Sequence, residues 1–446
     1  MDITANSQSR NLKSWSWPSS LGGVLLAGLF IYVWIIPLFR PRGTYLWGHY
    51  RLKDIYIGIP IALAAICVLV VLLVPERYKR SLSLRLTTLA IALLVALAIC
   101  DAVYALGIIG AWKQNYWLDQ AHISRRYAAA DPELGFVRKP FVSWYGYVPD
   151  VNRMVEYRTD KNGFRNPVDL QRADIVFIGD SFTEAATVAE EDTYARRVAQ
   201  STGLSVINLA RGAYGPQQEL IVLNRYGLGY GPRFVVWQLF EGNDLIDAQN
   251  FAQWRKNPEL DVLPLKHRYL DNSLLQQLLS NTRSHEITGP KVTLRYHDGT
   301  SKRSGLRYPY TPDQPSILQL GMTETLSAIE SGQQLCQSHG IRLLVVVVPT
   351  MVRVMEPYIS FDRFEERRQN FPEKIPGDKD FTDTIKDFCA QIGCGFVDGF
   401  DALSEASSSD NRGLYIPSDE HLDIKGHEIM TRVITDWIQT EQQAGK

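Results

Sequence analysis

Apolar and polar positions divide the chain into two textures. Three long apolar runs, Leu21–Leu38, Ile55–Val74 and about Leu86–Ala111, crowd the first 112 residues, uncharged apart from Asp101 in the third. Each is near or above the ~18 to 20 residues that a helix needs to cross a bilayer. The pattern therefore predicts a polar tail over 1–19 and a membrane domain over 20–112 built from three transmembrane helices. The first run leads straight into Pro37, Arg40 and Arg42 instead of ending at small residues, so a retained anchor is expected and not a cleaved signal peptide.

Beyond residue 112 the texture changes. Residues 113–167 read as an irregular lead-in rich in aromatics, including Phe141, Trp144, Tyr145 and Tyr147, and ending in the turn-forming Thr159-Asp160-Lys161-Asn162-Gly163. From about residue 168 to 446, short β-branched runs alternate with amphipathic stretches. The runs are Ala173–Ile178, Ser205–Leu209, Phe234–Leu239, Arg342–Val348 and Gly395–Val397. Nearly continuous apolar strands separated by helices predict a parallel sheet covered on both faces, a three-layer α/β/α sandwich of flavodoxin-like type. The ~100 residues between the third and fourth runs exceed an ordinary crossover, so an insertion is expected over about 245–320. It carries Arg283, Lys291, Arg295, Lys302, Arg303 and Arg307, either a solvated basic hairpin or a wall for an anionic ligand.

Charge narrows the classes. A net charge of −1 lacks the basic excess of a nucleic-acid binder. Lys and Arg flanking the apolar runs number six on one side and seven on the other, so charge bias selects no orientation. Of the five cysteines, Cys336, Cys389 and Cys394 fall in the soluble part without metal-ligand spacing, as buried thiols or as one disulfide from Cys336. The histidines are scattered and no phosphate-binding glycine loop occurs, so neither metal nor cofactor is expected.

Chemistry-bearing residues collect where the predicted strands end, the edge at which such sheets bind ligands. After the first strand stands Gly179-Asp180-Ser181-Phe182-Thr183-Glu184, with a serine at a strand-to-helix turn. After the second comes Asn208-Leu209-Ala210-Arg211-Gly212-Ala213-Tyr214-Gly215-Pro216, and after the third Gly242-Asn243-Asp244. Near the end, Ser418-Asp419-Glu420-His421 precedes a helix beginning near Ile424. In an extended segment, Asp419 and His421 would point to one side, so the carboxylate could hold one ring nitrogen while the other faces Ser181. Asp423 and His427 are better explained by capping and packing.

These four blocks, in this order, resemble the SGNH (GDSL-like) hydrolase superfamily over about residues 159–440. The resemblance implies a nucleophile at Ser181, a catalytic histidine at His421 oriented by Asp419, and an oxyanion hole from Asn243 with the backbone N–H of Ala213 or Gly212. The single residue between Asp419 and His421 is similar to the branch containing alginate and peptidoglycan O-acetyltransferases. A serine-dependent ester hydrolase or O-acyltransferase is expected, acting on an acylated carbohydrate or lipid at the membrane surface. Membrane lipids and other membrane proteins are its further expected partners, and the catalytic domain is expected to be periplasmic or extracellular. The competing reading is a noncatalytic scaffold or glycan-binding subunit of a membrane complex.

Overall fold

The computed structural model describes residues 25–39, 52–73, 75–105, 128–256, 291–306, 315–361 and 378–444. They fall into two compact units, one holding described residues 25–105 and the other holding described residues 128–444.

The first unit is helical. Helix α1 spans Leu25–Phe39, α2 Leu52–Leu73 and α3 Glu76–Ala105. The Trp34 indole of α1 lies on Gly58 of α2 and donates to its carbonyl at 2.9 Å. Within α3, Leu84–Val103 is 20 residues long, apolar and wholly unburied, and spans about 30 Å at the helical rise. It is the one described helix long and apolar enough to cross a membrane. Three such helices were expected, and the other two fall short. Among the described residues the other apolar stretches are Leu25–Phe39 and Ile57–Leu69, each of fewer than 18 residues.

The second unit opens with two antiparallel hairpins, β1 (Ala128–Asp131) with β2 (Gly135–Arg138), then β3 (Ser143–Val148) with β4 (Arg153–Arg158). Five parallel strands follow in one sheet: β5 (Ile175–Ile178), β6 (Val206–Asn208), β7 (Phe234–Phe240), β10 (Arg342–Val348) and β12 (Gly395–Asp398). A small antiparallel sheet joins β8 (Lys291–Arg295), β9 (Ser301–Gly305) and β11 (Ile359–Phe361). The insertion thus contributes an ordered hairpin, while Arg283 and Arg307 lie outside the described residues.

The parallel sheet has the order β12-β10-β7-β5-β6. Counted among themselves, its strands run 2-1-3-4-5, the flavodoxin-like arrangement with its switch point between the first and third strands, β5 and β7. Alternate residues of each strand enter opposite cores. Val176, Ile178, Val235, Trp237, Leu239, Val345 and Val347 face one cluster, and Ile175, Phe177, Val236, Phe240, Leu344, Val346 and Val348 face the other. Helices cover both. After α4 (Ser181–Glu184), α5 (Tyr194–Thr202), α6 (Pro216–Val222) and α7 (Asp244–Lys256) come α8 (Pro315–Ser338), α9 (Met351–Met355), α10 (Asp378–Ile392), α11 (Phe400–Ser409) and α12 (Ile424–Ala444). Residues of α6, α7, α8 and α10 line the first cluster, and residues of α5, α9, α11 and α12 line the second. Burial on both faces is why the strands read as unbroken apolar runs. Cys336, Cys389 and Cys394 are free thiols, the first two buried, so no disulfide links them.

Candidate functional site

The site lies at the carboxyl edge of the sheet beside the switch point. Strand β5 ends at Ile178, and Gly179 turns the chain with φ +151°, where an added Cβ would stand 2.7 Å from both Gln238 Oε1 and Thr183 Oγ1. Asp180 caps the next turn, its carboxylate accepting the Phe182 N–H at 2.9 Å. Ser181 is therefore the first residue of α4, where a backbone N–H has no intrahelical acceptor.

His421 reaches Ser181 from the loop before α12. Its Nε2 stands 2.7 Å from Ser181 Oγ, and its Nδ1 is hydrogen-bonded to the Asp419 carboxylate. The Asp419–His421 pair does meet, but not through an extended segment. The chain turns here, with Ile416 accepting from the N–H groups of Asp419 at 3.2 Å and Glu420 at 2.7 Å, and buried Glu420 adopts φ +65°. The left-handed residue between them brings the two side chains together. The imidazole also packs at 4.7 Å on the Phe182 ring, which fixes its plane.

The glycine-bearing loop after β6 passes against the serine. An added Cβ on Gly212 would lie 3.3 Å from Ser181 Cβ and 2.8 Å from Glu184 Oε2. The Gly212 N–H is already engaged, donating to Glu184 at 2.7 Å, so Gly212 is corrected from an oxyanion donor to a residue that permits close approach. Ala213 follows at φ +66°. Its N–H and that of Ser181 find no acceptor among the described residues.

Asn243 immediately precedes α7. Its Nδ2 donates to Asp247 at 2.7 Å, and the same side chain also interacts with the buried Asp180 carboxyl. Desolvation, reinforced by the Asp180 charge, pushes the Asp247 carboxyl up to about 8, although the Asn243 bond pulls the other way. Asp180, Glu219 and Asp244 are likewise pushed up by burial near one another. Among the described residues no three His, Cys, Asp or Glu side chains are grouped as a metal site requires.

Sequence reasoning missed Glu184. Its side chain is 3% exposed and accepts from Arg211 at 2.5 Å, Arg138 at 3.1 Å and the Tyr157 hydroxyl. Burial alone would raise this carboxyl, but the Arg138 and Arg211 charges overcome it and hold the group at about 2. Only its place three residues after Ser181 could have drawn notice. Asp423 accepts from Ile424 N–H and Arg153, and buried His427 accepts the Tyr194 N–H at 3.3 Å; neither joins the serine.

A hydroxyl, an imidazole and a carboxylate in hydrogen-bonded line, with unclaimed N–H groups alongside, can generate an alkoxide and hold a developing oxyanion. No family model and no curated protein matches the chain. Among solved structures it is similar to a GDSL-like lipase from Bacteroides thetaiotaomicron, at 14% identity over 61% of this chain and 89% of that one, TM-score 0.31. It is also similar to an acetylxylan esterase from Geobacillus stearothermophilus, at 12% identity over 60% and 94%, TM-score 0.32. A further acetyl xylan esterase aligns at 13% identity over 59% and 98%, TM-score 0.34.

Proposed function

We propose that the second unit is a serine esterase or O-acyltransferase acting on an acylated carbohydrate or lipid, and that α3 holds it at a membrane with the site on the periplasmic or extracellular side. The observation that carries this reading is the 2.7 Å contact between Ser181 Oγ and His421 Nε2, with Asp419 on the other ring nitrogen. Ser181 Oγ attacks the acyl carbonyl as His421 Nε2 takes its proton, and Asp419 holds the Nδ1–H and stabilises the imidazolium. The carbonyl oxygen, now negative, accepts from the Ser181 and Ala213 N–H groups and, as it develops charge, from the Asn243 amide in competition with its carboxyl partners. Collapse expels the alcohol, which leaves with the proton from His421. Water or an acceptor hydroxyl then gives His421 a proton and attacks the acyl-serine, and His421 returns that proton to Ser181 Oγ as the acid or new ester leaves.

Full-length protein in detergent is expected to release acetate from a small aryl acetate or an acetylated oligosaccharide. Ser181→Ala and His421→Ala should each lower kcat by ~10⁴ to 10⁶, and the double variant should be little worse than either single. Undiminished turnover by folded Ser181→Ala would remove the serine from the mechanism.

A further inference from the structure

The two loops that bring polar groups to Ser181 are held by one hairpin outside the parallel sheet. At its turn, Asp150 accepts the Ser418 N–H at 2.7 Å and the Ser418 hydroxyl, while its other oxygen pairs with Lys302 Nζ of β9 at 2.5 Å. Ser418 immediately precedes Asp419. At the far end of the same hairpin, Tyr157 of β4 donates to Glu184, whose second oxygen accepts the Gly212 N–H at 2.7 Å. Gly212 in turn lies against Ser181 and leads into Ala213.

We propose that the β3–β4 hairpin is a positioning element of the active site, with Asp150 setting the Asp419–His421 loop and Tyr157, through Glu184, setting the Gly212–Ala213 loop. This rests on the serine chemistry proposed above.

The His421 loop is held in part from outside. It carries Glu420 at φ +65°, a conformation that a non-glycine residue keeps only where its surroundings over-determine it. Within the loop, Ile416 accepts from Asp419 and Glu420 and donates to the His421 carbonyl at 2.9 Å. Asp150 adds two bonds from outside, and Ser304 adds one to the Pro417 carbonyl at 2.8 Å. Although burial works against it, Lys302 and Ser418 keep the Asp150 carboxyl below the usual range, so these are charge-assisted bonds. The hairpin packs through one face only: Val155 and Tyr157 are buried, with Tyr157 stacked on Trp144 at 4.1 Å, while Tyr145 and Met154 on the other face are exposed. The Asp150 bonds at the turn stand apart from this packing, whereas the Tyr157 hydroxyl bond is made from within it. They also make the lead-in between α3 and the sheet part of the catalytic apparatus.

The test is the rate at which a fluorophosphonate labels Ser181 in the full-length chain, per folded molecule, across pH. A shift of about 1 Å in a reacting group can cost ~10²-fold, so Asp150→Ala is expected to label about 10- to 10²-fold more slowly. Asp150→Asn, which can still accept the Ser418 N–H, should recover part of that loss. Tyr157→Phe keeps the ring stack, removes only the hydroxyl, and should slow labelling several-fold with little change in unfolding temperature. Native rates and pH profiles in folded Asp150→Ala and Tyr157→Phe would overturn the proposal while leaving the serine chemistry intact. A native chain that labels no faster than Ser181→Ala would remove that chemistry, and the hairpin's role with it.

Discussion

Replacing Glu184 by Gln tests the electrostatic centre of the structure. The substitution keeps the shape and removes one negative charge that Arg138 and Arg211 share. Arg211 is 1% exposed, its Nε has no acceptor, and its Nη2 is satisfied by the Gly163 carbonyl at 2.6 Å. Without Glu184 it becomes a buried cation with no counter-ion, for which losses of ~3 to 5 kcal/mol are usual. Linkage gives a similar figure. The carboxyl moves from 4.5 to about 2 on folding, a depression of roughly 2.5 units or about 3 kcal/mol. Because the folded value is the lower one, this stability is fully present above pH 4.5 and is lost as pH falls through 2. Urea unfolding of the full-length chain, followed by near-ultraviolet circular dichroism, should show the variant less stable at pH 7 by about 3 kcal/mol, and the gap should roughly halve at pH 3. Equal stability at pH 7, or a gap independent of pH, would refute the assignment of Glu184 as an ionised, buried counter-ion.

Asn243→Ala removes the one side-chain donor proposed for the oxyanion, so kcat should fall by ~10² to 10³ with KM little changed; wild-type turnover in a less stable protein would reduce Asn243 to the start of α7. Buried His427 is pushed down to about 3 by burial and by neighbours including Arg165 and Arg197, so its neutral form contributes stability above pH 6.5 that is lost as pH falls towards 3. His427→Gln should flatten that part of the acid-unfolding profile, and an unchanged profile in the variant would contradict the burial argument.

The parallel sheet was legible because its strands are buried on both faces. Arg342–Val348 emerges as a strand with the same ends, and Phe234–Leu239 gains only Phe240. Period and composition suffice for such elements, since nothing distant has to be known. The juxtaposition of Asp419 with His421 was also legible, but its cause was not, because the left-handed turn at Glu420 leaves no mark in a pattern that assumes extended backbone. Ala213 and Gly212 stayed alternatives for a related reason: a free N–H cannot be told from one committed to Glu184 without the fold. The hold of Asp150 on Ser418 joins residues 268 positions apart, and no local signal marks it. The apolar runs were read by length and texture, and among the described residues only Leu84–Val103 is both long and apolar enough to cross a membrane.

Mapping the covalent adduct of a fluorophosphonate on the full-length chain shows whether Ser181 is a nucleophile activated by His421. One adduct per chain is expected, located on Ser181 by peptide mass spectrometry, absent in Ser181→Ala and formed far more slowly in His421→Ala. Equal labelling of native protein and Ser181→Ala, or an adduct on another residue, would contradict it.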